Sequence, residues 1–425
     1  MTTEAKMMQV RKELYISPTR RRVMGVVFLL LAASIWLLTR GLESDVLTTF
    51  RMMPGGAQVE MADWSFNTTA VLTMLAVFSA ALGAYQLARG FAGRTNLILG
   101  LVTAFFMFSF LSWAAAGESL NLAGLLRTTL VKSVPLALGA MSGILCERAG
   151  VVNIAIEGMM LTGAFVAAVV GSLTNPWVGI LAAILAGAFM ALIHAILSIK
   201  YMIDQIISGT VINIFATGIT SFLSAKFLQK AQYQDFLNNP GVLSSWKFPG
   251  LSEIPFLGPI FFNHNLYVYA MFFFLVVLTI ALYYTRWGLR LRSVGEHPKA
   301  ADTLGINVFR TRYMAVILGG MMAGFAGSYF TIGSVGRFDE VMTAGRGFIS
   351  LAAMIFGNWN PFGAFGAGLL FGFADSLSSK LAILGVGIPS EFLLMAPYIA
   401  TMIALAGVVG KGQMPAADGQ PYEKE

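Results

Sequence analysis

Twelve apolar runs separated by short polar stretches occupy most of this chain: Val23–Leu38, Ala70–Leu87, Leu97–Ala115, Leu125–Leu145, Gly158–Leu173, Trp177–Ile199, Ile206–Phe222, Tyr267–Tyr284, Tyr313–Ile332, Phe348–Phe356, Phe362–Leu377 and Phe392–Val409. A helix that crosses a bilayer needs about 20 apolar residues. Most runs approach that length, and Phe348–Phe356 is too short to cross alone. Lipid offers the backbone no hydrogen bonds, so such runs satisfy themselves as helices. The expectation is an all-α fold: a polytopic transmembrane helical bundle of about ten helices, with broken or re-entrant segments. Charge agrees. The 425 residues are 57% hydrophobic and 12% charged, against about 25% charged in a soluble domain. So little charge cannot cover a water-exposed surface, and a lipid-facing one does not require it.

The net charge of +7 falls in clusters between the runs. Cytoplasmic loops of membrane proteins carry charge this way, so it is not a nucleic-acid signal. Arg11, Lys12, Arg20, Arg21 and Arg22 place the N-terminus inside, and the first helix leads outward. No A-x-A-like exit follows that helix, which is expected to be retained rather than cleaved. Residues 41–67 then lie outside, Arg89 and Arg94 inside, and the proline-bearing segment Gln229–Asn265 outside. The most basic loop, Arg286 to Arg312, faces the cytoplasm. Cys146 stands alone, which excludes a disulfide framework and a Cys-based metal site. His194, His264 and His297 form no ligand spacing, and His194 reads as a packed, satisfied side chain. The polar tail from Lys411 reads as disordered.

Glycines cluster inside the runs, as at Gly319, Gly320, Gly324 and Gly327, and again at Gly363, Gly366, Gly368 and Gly372. Small residues so placed let membrane helices approach closely. Leu136–Gly143 and Ser350–Gly357 resemble one another, and each precedes an interruption, a hint of two related halves.

Three polar segments carry chemistry. In Cys146–Met160, Glu147, Arg148, Asn153 and Glu157 sit between two apolar runs with few turn residues. This is the pattern of a discontinuous helix lining a polar cavity. Glu157 either lines that cavity or caps the helix that follows it. In Gly288–Asn307 a short amphipathic helix starts near Pro298, shows Ala300, Ala301 and Leu304 on one face and ends at Gly305. It suits either docking of a soluble partner or an interfacial position on anionic membrane lipid. In the third segment, Asn358, Trp359 and Asn360 interrupt an apolar region beside Gly357 and Pro361. Amides and an aromatic face suit a flat, hydrogen-bonding solute, and equally a tight turn between half-helices. Asn213, Phe330, Phe338 and Arg346 are weaker pathway candidates.

Gly295-Glu296-His297-Pro298-Lys299-Ala300-Ala301-Asp302-Thr303-Leu304-Gly305-Ile306-Asn307 resembles the coupling-helix motif of ABC importer permeases of the branched-chain amino acid, ribose and nucleoside type. Glu147–Met160, and Gly345–Ile349 through Phe356–Pro361, are similar to its nucleoside-type branch, and the G-I-D-L-S-like stretch of sugar permeases is missing. The resemblance implies a permease subunit of an ATP-driven importer in the bacterial inner (plasma) membrane, with nucleosides as the favoured solute. It implies that Gly295, Glu296, Pro298, Ala300, Ala301, Leu304, Gly305, Ile306 and Asn307 meet an ABC ATPase subunit. It implies two further partners: a second permease subunit, homologous or identical, and an extracytoplasmic binding protein or lipoprotein. The expected organisation is a cytoplasmic tail at 1–22, variable N-terminal transmembrane helices at 23–115, a permease core at 116–410 with coupling loop 286–312, and a C-terminal tail at 411–425. The expected solute pathway holds Asn153, Glu157, Asn213, Phe338, Arg346, Asn358, Trp359 and Asn360.

The chain has no G-x-x-x-x-G-K-[ST] loop; Gly407–Gly412 lacks the Ser/Thr and the spacing. It is therefore expected to bind no cofactor itself and to rely on ATP used by its partners. Two readings in the same family are a simple sugar or a purine base as solute. An ion-coupled secondary transporter is a further alternative, with Glu157, Asp204 and Asp375 as its acids. An intramembrane enzyme lacks any recognisable catalytic constellation here.

Overall fold

The structure, a computed structural model, describes residues 18–55, 61–230, 232, 236–383, 392, 395 and 413–424. The run Phe392–Val409 and the stretch Gly407–Gly412 lie outside the described residues, but for Phe392 and Met395. Helices begin where the sequence supplies a cap. Asn67 accepts from the Ala70 N–H at 2.8 Å ahead of one helix, Asn175 accepts from Trp177 and Val178 ahead of Pro176, and Asp204 accepts from Ile206 and Ile207.

The described residues divide into two compact units, 18–124 with 381–383, and 125–380 with 413–424. The first unit holds α1 (Pro18–Thr39), α2 (Thr68–Ala88) and α3 (Thr95–Ala114), with strands β1 (Leu47–Arg51), β2 (Trp64–Asn67) and β3 (Ser119–Asn121). β1 lies between β2, antiparallel, and β3, parallel. Phe50, Trp64, Phe66 and Phe108 gather on this small sheet.

The second unit is built on α4 (Leu122–Glu147), α5 (Ile156–Leu173), α6 (Pro176–Ala195) and α7 (Gln205–Leu223). Strand β4 (Trp246–Lys247), the single turn α8 (Leu257–Phe261) and strand β5 (Asn263–His264) precede α9 (Leu266–Tyr284). Two short helices, α10 (Arg286–Glu296) and α11 (Pro298–Thr303), lead to α12 (Val308–Phe330). The half-length α13 (Arg346–Phe356) and α14 (Pro361–Ile383) complete it. Helices α6, α7 and α12 end in wider π turns.

Among the described residues nine helices are long and apolar enough to cross a membrane, and α13 is a shorter apolar one. The twelve expected runs correspond to these helices and α14, apart from Phe392–Val409. The core forms where α12 packs against α5 and α6 through glycine. A Cβ on Gly187 would meet the Gly320 carbonyl, one on Gly163 would meet Gly324 at 2.6 Å, and one on Gly327 would meet the Met160 carbonyl. Backbones this close gain dispersion contacts that lipid does not replace. The two similar segments meet as well: Gly139 of α4 lies against Ser350 of α13, and Gly143 against Met354.

The tail departs from its expected disorder. Residues 413–424 pack on the second unit, with Tyr422 and Asp418 buried. Its backbone is held by the chain: the Ala417 N–H donates to the Gly295 carbonyl at 2.9 Å, and Arg312 Nη1 donates to the Gln420 carbonyl at 2.9 Å. Composition registers polarity, but not an apolar notch shaped for Tyr422 between Val294, Ala301 and Val308.

Candidate functional site

The break between α4 and α5, residues 148–155, is not helical, and side chains from neighbouring helices replace its missing helical hydrogen bonds. Gln205 Oε1 accepts from the Val152 N–H at 2.6 Å, and His194 Nε2 pairs with the Val152 carbonyl at 2.9 Å. Asn213 Oδ1 accepts from the Gly158 N–H at 2.8 Å while its amide donates to the Ile154 carbonyl at 2.9 Å. Asn153 is fully buried; its Oδ1 accepts from the Ala155 N–H and its amide reaches the Cys146 sulfur. Asn153 and Asn213 are thus engaged with backbone and sulfur rather than open to a solute. His194 is buried, with both ring nitrogens partnered, as its sequence setting indicated.

Glu157 does something neither sequence alternative contained. Its Oε1 accepts from Thr343 Oγ1 at 2.6 Å and from the Gly345 N–H at 2.8 Å, and its Oε2 accepts from the Gly347 N–H at 2.6 Å. It caps the N-terminus of α13, another helix altogether. A helix N-terminus favours a carboxylate, and three donors offset its burial. Gly347 has to be glycine, because a Cβ there would stand 2.5 Å from the Glu157 backbone.

At the other end of α13 the chain turns sharply, with Asn358 and Trp359 at φ 55° and 52°. Trp359 Nε1 donates to Glu147 Oε2 at 2.5 Å, and Arg148 Nε donates to the Trp359 carbonyl at 3.0 Å. Asn360 caps α14 by accepting from Phe362 and Gly363, and Asn358 Oδ1 accepts from the Gln413 N–H. These three residues form the tight turn, with Trp359 buried. They lie one α13 length, about 16 Å, from Glu157, at the end of the bundle that carries Tyr283 and α10. Glu157 and the Asn358–Asn360 turn therefore sit at opposite ends of α13, while Glu147 and Arg148, at the start of the first segment, bond to Trp359. Phe338 is likewise buried, edge-on to Phe165, with its backbone paired to Asn238.

Arg346 is half-buried, and it brings in residues that the sequence analysis placed elsewhere or missed. Its Nη2 lies 3.8 Å from Asp375 Oδ2, and Lys132 Nζ lies 3.0 Å from Asp375 Oδ1. Lys132 was hidden in an apolar run, and only a charge without a local partner could have flagged it.

The α10–α11 hairpin is capped at each step: Thr285 accepts from Gly288, His297 from Ala300, and Asn307 from Arg310. Gly305 ends α11 at φ +80°, and Gly295 packs against the Arg148 carbonyl with no room for a Cβ. Ala301 is buried beside Val294, Val308 and Tyr422, whereas Leu304 is 82% exposed. The hairpin therefore offers Leu304, Ala300, Pro298 and Lys299 outward, and holds Ala301 within. Glu296 accepts from the Ala416 N–H, Ile306 packs beside the tail cluster, and Asp302 pairs with Lys424 at 3.9 Å. Asp418 reaches under this hairpin toward Glu147 and Arg312, and burial, with the Glu147 carboxylate second, pushes its carboxyl well up from 3.8. Among the described residues no group of His, Cys, Asp and Glu could hold a metal ion.

A family model described as the permease component of the branched-chain amino acid transport system matches residues 125–408. A guanosine ABC transporter permease protein of Bacillus subtilis is 43% identical over 306 residues, covering 70% of this chain and 95% of its own. A nucleoside ABC transporter permease protein of Lactococcus lactis is 43% identical over 312 residues, 69% of this chain and 95% of its own. A putative glucose ABC transporter permease protein of Haloferax volcanii is 35% identical, over 61% of this chain and 78% of its own. No solved structure matches the chain significantly.

Proposed function

The chain belongs to the permease components of branched-chain amino acid-type transport systems, and from that premise we propose that it carries nucleosides across the plasma membrane as the pore-forming subunit of an ATP-driven importer. The observation that carries the solute is the 43% identity, over nearly their whole length, with a guanosine and a nucleoside permease, against 35% with a putative glucose permease.

In this reading the α10–α11 hairpin is the cytoplasmic contact for an ATPase subunit, with Leu304 as its projecting apolar residue. Motion there reaches the break at Arg148 through Gly295, and the α13–α14 turn through Arg148 itself. A second permease subunit completes the pore, and an extracytoplasmic binding protein delivers the solute. ATP is consumed by the partners, since this sequence has no phosphate loop of its own. Deleting the chain should abolish uptake of radiolabelled guanosine and uridine and leave glucose uptake unchanged. Loss of glucose uptake with intact nucleoside uptake would overturn the assignment.

A further inference from the structure

Lys132, Asp375 and Arg346 form a charged set within the helices of the second unit. Lys132 Nζ donates to Asp375 Oδ1 at 3.0 Å, to the Asp375 carbonyl at 3.1 Å and to Ser379 Oγ at 2.7 Å. Arg346 Nη1 reaches the Thr343 carbonyl at 3.4 Å, and its guanidinium lies 5.6 Å from the Phe330 ring centre. Its Nη2 stops 3.8 Å short of Asp375 Oδ2. The side chains of Lys132, Asp375 and Arg346 are 26%, 30% and 33% exposed.

Two helices fix the depth independently. At the helical rise, Lys132 lies about 15 Å along α4 from Leu122, and Asp375 about 21 Å along α14 from Pro361, which starts at the opposite end. Both place the cluster deep within the bundle. Partly exposed ions at that depth cannot face hydrocarbon at a tolerable cost, so their open side faces water or a polar partner.

The hydrogen-bond inventory then narrows what fits. Lys132 has used its three donors and holds Oδ1, which orients the carboxylate. Oδ2 and Nη2 are left 3.8 Å apart, beyond direct hydrogen-bond range, and among the described residues neither has another hydrogen-bond partner. A group that donates to Oδ2 and accepts from Nη2 at once completes the set. A hydroxyl does both with one atom.

We propose that Asp375 Oδ2 and Arg346 Nη2 form a hydroxyl slot on the translocation path that takes a sugar hydroxyl of the passing solute. This rests on the nucleoside reading and deepens it: the pore recognises the ribose, not the base. Asp375 and Arg346 are the binding residues, and Lys132 and Ser379 position the carboxylate.

The test is a cycle between residue and ligand hydroxyl in cells carrying the complete transporter. Uptake of labelled uridine and of its 2′,3′-dideoxy analogue is compared for wild type, Asp375→Asn and Arg346→Lys, each normalised to the amount of protein in the membrane. Any preference imposed by a delivering protein is common to all three and cancels. The expected result is a loss of tenfold or more in uridine uptake with less than twofold change for the dideoxy analogue, in at least one of the two variants. Equal losses for both ligands, or no loss for either, would overturn the slot. If the wild type takes up neither ligand nor guanosine, the nucleoside reading fails, and the sugar hydroxyl falls with it.

Discussion

At the residue scale, Glu157 shows what a buried carboxylate does in this bundle. Its partners are 186 to 190 residues away along the chain. The sequence made the acid conspicuous, since an ion inside an apolar run is costly. It could not show that α13 starts beside it, because no local pattern encodes a contact over that separation. The same applies to Asn213 and Trp359: their polarity was legible, and their engagement by Gly158 and Glu147 was not. Glu157→Gln replaces one acceptor by a donor facing an N–H or hydroxyl, so it both loses a charge-assisted bond and adds a clash of donors. The expected cost is about 3 kcal/mol, read as a lower melting midpoint in detergent. Gly347→Ala attacks the same cap from the other side. The double variant should therefore fall well short of the sum of the two, because both remove one interaction. Additive losses would show that Glu157 acts elsewhere.

At the scale of elements, helix existence was legible and helix partnership was not. The runs gave most helix ends to within three residues, since a bilayer leaves an apolar run little alternative, though α1 and α12 start five residues earlier and α14 ends six residues later than their runs. The short α11 was legible from Pro298 and Gly305, but which of its faces is free depends on the tail. Ala301 and Leu304 shared one expected face, and Tyr422 separates them by covering Ala301. Two substitutions divide the roles. Leu304→Asp changes an open surface and should leave melting unchanged while lowering nucleoside uptake at least tenfold. Ala301→Asp buries a charge against Val294 and Val308 and should lower melting as well as uptake. The reverse pattern would move the docking face. Asp418 gives the tail a pH dependence. Burial beside Glu147 raises its carboxyl, with Arg312 opposing, so the docked tail favours the protonated acid. Its docking stability is complete below the ordinary value of 3.8 and declines as pH rises above it toward the raised one. Limited proteolysis of the tail should accordingly quicken with rising pH in the wild type and stay level in Asp418→Asn. A wild-type rate that is flat or falls with pH would contradict this.

For the whole molecule, the open question from sequence was the source of energy, because Glu157, Asp204 and Asp375 could each have served an ion-coupled carrier. An acid that couples transport to an ion has to change its protonation or ligation as the protein cycles. Glu157 is held by three donors at a helix N-terminus, and Asp204 caps α7 with both its bonds to backbone N–H groups. Asp375 is pinned by Lys132, a cation already in place where a coupling ion would bind. The α10–α11 hairpin instead reaches outward, with Leu304, Lys299 and Arg310 exposed. It is joined to the α4–α5 break by the Gly295–Arg148 contact and to the α13–α14 turn by Arg148, so force applied at the hairpin arrives at both breaks in the bundle. Collapse of the proton gradient in cells whose ATP is maintained should therefore leave nucleoside uptake through this chain within twofold of normal, and ATP depletion with the gradient preserved should abolish it. If uptake instead follows the gradient and ignores ATP, Asp375 becomes the acid to titrate and the hairpin loses its role.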